Sequence, residues 1–119
     1  MLALGEFLER VQTPLRLYVA VLDDRVVEVD GSCAWEIAIE VHNSSERVLS
    51  LMSARLEDLD GSERGILGAV APAESIVRTY TYALPDCSSD PRTEGVSSLV
   101  VDFKPAGTKN LRSVTVSID

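Results

Sequence analysis

Histidine and aromatic side chains are scarce in this sequence of 119 residues, which has one histidine, His42, and six aromatic residues. A Ser-His-Asp site needs a histidine that a second group orients beside a pocket, whereas His42 falls on the outward side of a predicted strand. None of the 13 serines lies in a G-x-S-x-G nucleophile elbow. Tyr18 alone is predicted to face outward among the aromatics, and one ring does not make a stacking platform. We therefore predict that the protein is not an enzyme and has no cofactor.

Basic residues are outnumbered, with 11 Lys and Arg against 19 Asp and Glu, for a net charge of −8. Nucleic-acid binding needs Lys and Arg to neutralise phosphates, so this charge argues against a nucleic-acid partner. The imbalance is concentrated in residues 1–60, which hold 12 acidic and 5 basic residues. Such a region either steers a basic partner towards the protein or is a solvated face that keeps it soluble, and the second case is the commoner.

Cysteine is nearly absent, and the two present, Cys33 and Cys87, are too few for the disulfide framework of small secreted domains. They have no C-x-x-C spacing, which argues against a metal site. Cys33 shares the inward-facing side of a predicted strand with Trp35, whereas Cys87 lies in a polar loop. Because bridged cysteines need Cα atoms within about 7 Å, we predict that the two thiols are not bridged.

Long apolar runs are also missing, since the longest, Ile66 to Ala71, is far shorter than the roughly 20 residues of a membrane span. We therefore predict no membrane insertion. The first residues contain no basic group, and the acidic Glu6 follows after five residues. A signal peptide, in contrast, begins with a basic region that is followed by a longer apolar one. If the chain is complete, we expect a cytoplasmic protein; if a signal has been removed, we expect an extracellular one.

The first 13 residues form a predicted amphipathic helix that ends before Pro14, because the residue preceding a proline avoids the helical region. Four apolar side chains recur at helical spacing on one face of it. They are Leu4, Phe7, Leu8 and Val11. Exposed to water, they would form an apolar surface patch of the kind that binds other surfaces, so we predict a partner-binding role for them. The helix could cover its own domain, dock on a second copy as a homodimer, or dock on another protein.

Residues 14–119 show apolar residues at alternate positions, in short segments separated by turn residues. Seven or eight strands of this kind, spaced about 10 residues apart, are typical of an antiparallel β-sandwich. Asp23-Asp24 is predicted to be a turn between two strands, and Asp60-Gly61 to be a hairpin turn. The apolar positions change sides between Leu51 and Met52, which predicts a β-bulge or a bend.

The predicted core consists of the apolar residues that share one side of each of the three clearest strands. Its members are Trp35, Ile37, Ile39, Val41, Leu99, Val101, Phe103, Val114 and Val116.

Asp58-x-Asp60-Gly61-x-Glu63 resembles the first part of a calcium loop, although Glu63 occupies the sixth position, where such a loop needs glycine. Calcium needs six to eight oxygen ligands, and the position of the closing glutamate is occupied by Ala69. Asp86 and Asp90 could add oxygens from another loop. A plain hairpin turn is the preferred interpretation, with weak calcium binding at Asp58 and Asp60 left open.

The pattern Ile37-x-Ile39-x-Val41-x-Asn43-x-Ser45, followed by Pro72-x-Glu74-Ser75, resembles prokaryotic Ig-like sandwiches. These include CARDB-type domains and BsuPI-type proteinase inhibitors, and the similarity covers residues 33–119. The resemblance implies an all-β, Ig-like β-sandwich of seven to eight antiparallel strands, here with a short N-terminal helix. Asn43 is expected to cap the corner after its strand. Because Ala73 stands where these domains usually have glycine, we expect a type I rather than a type II turn.

Two functions fit these features. The first is a non-catalytic module that binds an unidentified protein partner, in an accessory, adhesion or assembly role, through an edge or face of a sheet. The alternative is a small regulator similar to a proteinase inhibitor, which would present the loop at residues 85–95 to an enzyme.

Overall fold

Seven β-strands and one 3₁₀ helix make up the regular structure of residues 16–118, the part of the chain that this computed structural model describes. The strands are β1 (Leu17–Val29), β2 (Ser32–Asn43), β3 (Leu49–Leu56), β4 (Arg64–Val70), β5 (Ser75–Leu84), β6 (Ser98–Pro105) and β7 (Arg112–Ser117). The 3₁₀ helix, Pro91–Glu94, lies in the loop between β5 and β6. The N-terminal helix predicted over residues 1–13 lies outside the described residues.

The strands form two antiparallel sheets, so the predicted all-β class is confirmed. One sheet has three strands in the order β1-β2-β5, and the other has four in the order β4-β3-β6-β7. The chain therefore crosses between the sheets after β2, after β4 and after β5. Apolar residues from both sheets belong to one hydrophobic core.

The turn predicted at Asp23-Asp24 is wrong, because β1 continues through these residues as one strand of 13 residues. Its pairing with β2 shifts between Val21 and Asp23, so that Leu22 has no partner in the ladder. A bulge absorbs the extra residue and lets the strand continue on the same neighbour. Two acidic residues in sequence marked an irregularity in the strand and not its end.

The predicted core is buried in β2 and β6, where side chains of alternate residues point between the sheets. Ile37, Ile39 and Val41 are fully buried, and Trp35 is 1% exposed. Val114 and Val116 are only partly buried, because β7 is an edge strand with a neighbour on one side. Burying a side chain of this size stabilises a fold by roughly 1.5–3 kcal/mol, so the core residues of β2 and β6 contribute more than the partly buried ones of β7.

The bulge predicted near Met52 is confirmed, since the pairing of β3 with both neighbours shifts between Leu51 and Ser53. The hairpin predicted at Asp60-Gly61 is also confirmed, because it connects the paired strands β3 and β4. Ser62 closes this hairpin. Its hydroxyl accepts from the amide of Leu56 and contacts the carbonyl oxygen of Leu59 at 2.6 Å.

Asn43 holds the corner at the end of β2, as expected from the resemblance, and its side chain is fully buried. Its amide group donates to the carbonyl oxygens of Arg47, at 2.7 Å, and Val70, at 2.8 Å. Its Oδ1 accepts from the amide of Ser45 at 2.8 Å. One side chain thus satisfies three backbone groups that would otherwise be buried without partners.

The type I turn expected around Ala73 is wrong. Ala73 has a φ of 64°, whereas the third residue of a type I turn has a negative φ and that of a type II turn a positive one. Two hydrogen bonds hold this conformation: the amide of Ala73 donates to the Asn43 carbonyl oxygen at 2.8 Å, and the amide of Glu74 donates to that of Ala71 at 3.0 Å. These hydrogen bonds outweigh the intrinsic preference of alanine for a negative φ.

Candidate functional site

The predicted partner-binding residues Leu4, Phe7, Leu8 and Val11 lie outside the described residues, so their role stays a prediction. Among residues 16–118, no helical segment has the length and apolar character needed to cross a membrane.

The loop at residues 85–95, predicted as the alternative binding element, is held by its own side chains. The carboxylate of Asp86 accepts from the amide of Ser88 at 2.9 Å and from its hydroxyl at 2.6 Å. Asp90 caps the 3₁₀ helix by accepting from the amide of Arg92 at 3.0 Å. Gly95 ends the helix with a φ of 93°, a conformation that favours glycine.

The hydrogen bonds around Asp86 lower the pKa of its carboxyl group below the ordinary value of 3.8. The hydroxyl of Ser88 is the largest cause, followed by the Ser88 amide. Both groups donate to the ionised form and so stabilise it relative to the protonated one. The first turn of the loop is therefore better held when Asp86 is charged.

The prediction that the two cysteines are unbridged is wrong, because Cys33 and Cys87 form a disulfide with a Cα–Cα distance of 5.2 Å. The reason lies in the pairing of the strands. Cys33 at the start of β2 is opposite Leu84 at the end of β5, so the chain leaving β5 passes beside Cys33 three residues later. The inward position predicted for Cys33 is confirmed, since it is 5% exposed.

A second anchor joins the loop to the three-stranded sheet through Arg92. Its guanidinium group donates to Asp24 Oδ2 and lies over the ring of Trp35, 5.5 Å from the ring centroid. The same Asp24 oxygen accepts from Trp35 Nε1 at 3.0 Å. The loop is thus fixed to β1 and β2 at two points, by the disulfide and by this group of three side chains.

The three-stranded sheet carries apolar side chains that are more than half exposed to solvent. Tyr18 is 55% exposed, Leu22 54% and Val77 52%, and these three residues are called the outer patch below. Val29, at the end of β1, is 65% exposed. Tyr18 and Val77 alternate along their strands with residues that pack on the core. Leu22 is the residue that the bulge leaves out of the ladder. Exposed apolar groups beside a bulge are typical of an interaction site.

A shallow groove runs across the outer face of the three-stranded sheet, next to the outer patch. It is lined by Asp23, Arg25, Glu36, Ala38 and Thr79. Ala38 and Thr79 are paired across β2 and β5. Their side chains are short, so the surface is lower there than at the neighbouring residues. Arg25 Nε lies 3.7 Å from Glu36 Oε1, so one of the two acidic groups has a partner in the groove. The margin of the outer patch is therefore polar and contains more acidic than basic groups.

His42 and Ser75 are in contact at one end of this face, a pairing that the sequence analysis did not find. They are opposite each other on β2 and β5, and His42 Nδ1 lies 2.7 Å from Ser75 Oγ. Among the described residues, no carboxylate is hydrogen-bonded to the other ring nitrogen. The two residues are 33 positions apart, and only the strand register brings them together.

Asp102 forms a polar cluster on the four-stranded sheet, although it is 6% exposed. Arg55 on β3 forms an ion pair with it, and the hydroxyl groups of Ser53 and Ser113 donate to it from the two neighbouring strands. These contacts satisfy the carboxylate and tie β3, β6 and β7 together.

Within residues 16–118, the possible metal ligands do not gather where the calcium interpretation would place them. In the described part of the chain, one group of three suitable side chains comes together, namely Glu28, Cys33 and Cys87. Asp58 and Asp60 are not part of such a group there. The two sulfur atoms of the group are already engaged in the disulfide.

Comparison with known proteins adds little to this geometry. No protein-family model and no curated protein matches the chain. An X-ray structure of Northeast Structural Genomics Consortium target SoR45 is similar to it, with a TM-score of 0.36 and 10% sequence identity. The similarity covers 89% of this chain and 81% of that chain. A similarity at this level carries no argument about fold or function.

Proposed function

We propose that this chain is a non-catalytic, Ig-like β-sandwich module that binds a partner protein, in an accessory, adhesion or assembly role. The observation that carries the proposal is the outer patch. The three apolar side chains of the outer patch are each more than half exposed, and they lie beside the groove over Ala38 and Thr79. Exposed apolar groups with a polar rim are typical of protein-binding surfaces.

The strand order supports the Ig-like part of the proposal. In Ig domains the first, second and fifth strands pair in one sheet, and the third, sixth and seventh pair in the other. Here β1-β2-β5 and β3-β6-β7 have that arrangement. The fourth strand distinguishes this chain from the constant-type Ig domain, because β4 pairs with β3 and not with β5. The resemblance to CARDB-type and BsuPI-type domains remains part of the proposal.

The partner surface that fits the outer patch is apolar at its centre and basic at its edge. Asp23, Glu36 and Glu40 lie on this face, with Arg25 as the basic group among them. A basic partner would be attracted to this charge before contact. A second copy of the chain carries the same net negative charge, so a homodimer through this face is the less favoured alternative.

The disulfide supports an oxidising compartment for this module. Disulfides persist in extracellular and periplasmic proteins and are rare in the cytosol. Of the two expectations from the sequence, we therefore propose the extracellular one.

Site-specific photo-crosslinking in the native cells tests the proposed binding surface. A photoreactive residue at Leu22 samples the outer patch, and one at Leu67, which is 71% exposed on β4, is the matched control. We expect a protein adduct from position 22 that unlabelled protein competes away, that Tyr18→Ser reduces, and that position 67 does not give. Equal adducts from both positions would count against the outer patch.

An inhibitor-like role for residues 85–95 is the second candidate, and the two anchors of the loop favour it. A loop held in one conformation loses less entropy on binding, and Cys87 and Arg92 hold this one. A photoreactive residue at the exposed Ser88 tests it in the same experiment. An adduct with a proteinase at position 88, without one at position 22, would favour the inhibitor-like role.

A further inference from the structure

We propose that Cys87 is a site of thiol–disulfide exchange at the surface, and that the charge of Glu28 selects which thiols react there. The site consists of Cys87, Cys33 and Glu28, which come from the loop, the start of β2 and the end of β1. This inference goes beyond the proposed function and does not depend on it.

Burial makes the two sulfur atoms of the bridge unequal. Cys87 is exposed, whereas Cys33 is 5% exposed and belongs to the hydrophobic core. An attacking thiolate must approach in line with the bond that breaks. A thiolate in solution can approach the exposed Cys87, with Cys33 as the leaving group. Cys33 is packed among core side chains, so attack is directed to Cys87.

The reaction balances with an external thiol as the reductant. A thiolate forms a bond to Cys87 Sγ while the bond to Cys33 Sγ breaks, and Cys33 leaves as a thiolate that takes a proton from water. The product is a mixed disulfide on Cys87 and a free thiol at Cys33. A second thiolate can then attack the mixed disulfide, which gives the oxidised small-molecule disulfide and a Cys87 thiol.

Glu28 places a carboxylate oxygen 3.4 Å from Cys87 Sγ, at the surface where the thiolate arrives. Every thiolate carries a negative charge, so the carboxylate repels it. A second negative group on the thiol increases the repulsion, and an ammonium group offsets it. In water, one unit charge about 9 Å from the carboxylate changes the rate about 2.2-fold. An anionic and an ammonium-bearing thiol are affected in opposite directions, so the ratio of their rates changes about fivefold. The bridge should therefore discriminate between thiols of opposite charge.

Arg92 limits the structural effect of exchange to the part of the loop near Cys87. Its contacts with Asp24 and Trp35 do not involve the disulfide, so they remain when the bridge opens. Exchange then frees the loop near Cys87 and attaches a group beside Glu28, while the 3₁₀ helix stays anchored.

The test measures exchange rates with two small thiols of opposite charge, cysteamine and 2-mercaptoethanesulfonate, each corrected for its thiolate fraction. Glu28→Gln is expected to lower the ratio of the cysteamine rate to the mercaptoethanesulfonate rate about fivefold. The difference should fade in 1 M salt, where the screening length is about 3 Å. Asp30→Asn removes the same charge from the adjacent turn and should leave the ratio nearly unchanged.

Mass spectrometry of the trapped intermediate tests the site of attack. We expect the thiol adduct on Cys87 and a free thiol at Cys33, in the wild type and in Glu28→Gln. An adduct mainly on Cys33 would overturn the assignment of the site. An unchanged rate ratio in Glu28→Gln, with the oxidised variant melting as the wild type does, would overturn the role of Glu28.

Discussion

Single polar side chains join parts of the chain that are distant in sequence. Asn43 connects the corner after β2 to Val70, 27 residues away, and Asp24 connects β1 to Arg92, 68 residues away. A buried group such as Asn43 stabilises by a modest amount when paired, but removing it leaves its partners unsatisfied at about 1–3 kcal/mol each. Their main effect is to determine which loop lies against which strand.

At the same scale, Ile39→Ala tests the assignment of the core side of β2. Ile39 is fully buried, so truncation should lower the free energy of unfolding by about 2–5 kcal/mol, through lost burial and a cavity. Val77→Ala, on the paired strand β5 but 52% exposed, should change it by less than about 0.5 kcal/mol. Urea denaturation measures both, and equal effects would contradict the assigned sides of the sheet.

Ala73→Gly should stabilise the protein. Ala73 has a φ of 64°, which costs an L-residue roughly 1–2 kcal/mol. Glycine avoids this cost, although it loses about 0.5–1 kcal/mol through the greater freedom of the unfolded chain. We expect a net gain of up to about 1 kcal/mol in thermal or urea unfolding. A loss of stability would mean that the residue is not held in the left-handed region.

At the scale of elements, the loop at residues 85–95 behaves as an anchored unit, and the disulfide is its strongest link. Replacing the bridge with Cys33→Ala and Cys87→Ser together should destabilise the protein by about 2–4 kcal/mol, because the unfolded chain regains its freedom. The control is wild-type protein with and without a reductant, which should differ by a similar amount. If neither change lowers the unfolding midpoint, the bridge is not a structural link.

The first turn of this loop should weaken in acid. The pKa of Asp86 is lowered in the folded protein, so its contribution to stability is present above the ordinary value of 3.8 and is lost as pH falls through the lower folded value. The melting temperature of Asp86→Ala should therefore lie below that of the wild type at pH 7 and approach it as the pH falls below the ordinary value of 3.8. A difference that is constant from pH 7 to pH 2 would contradict this coupling.

Strands could be recognised from the sequence wherever one side is buried and the other is not. β2 alternates Trp35, Ile37, Ile39 and Val41 with polar or small residues, and its side chains point as the sequence predicts. The irregularity in β3 was visible for the same reason. In β1, however, the alternation is interrupted at Asp23-Asp24. A bulge and a turn would each interrupt it in this way, and two consecutive aspartates are compatible with both.

Contacts between strands could not be read from the sequence in the same way. The disulfide depends on the register that places Leu84 opposite Cys33, and the His42–Ser75 contact depends on the same ladder. Local patterns predict which side of a strand is buried but do not specify its partner. The contact of Arg92 with Trp35 likewise follows from the path of a loop.

At the scale of the whole molecule, the two sheets present different outer faces. The four-stranded sheet has a satisfied polar cluster around Asp102 and the exposed Leu67, whereas the three-stranded sheet has the outer patch and its groove. A face with unpaired apolar groups gains more from being covered than one whose polar groups already have partners. The three-stranded sheet is therefore the proposed binding side.

The dissociation constant of the partner captured at position 22 tests this proposal most directly, using isothermal titration calorimetry on purified proteins. Leu22→Asp places a charge in the outer patch, and Leu67→Asp makes the same change on the other sheet. We predict that Leu22→Asp raises the dissociation constant at least tenfold, or about 1.4 kcal/mol, and that Leu67→Asp leaves it within about twofold of the wild type. An unchanged constant in Leu22→Asp, with wild-type stability, would contradict the proposal that the outer patch is the binding surface.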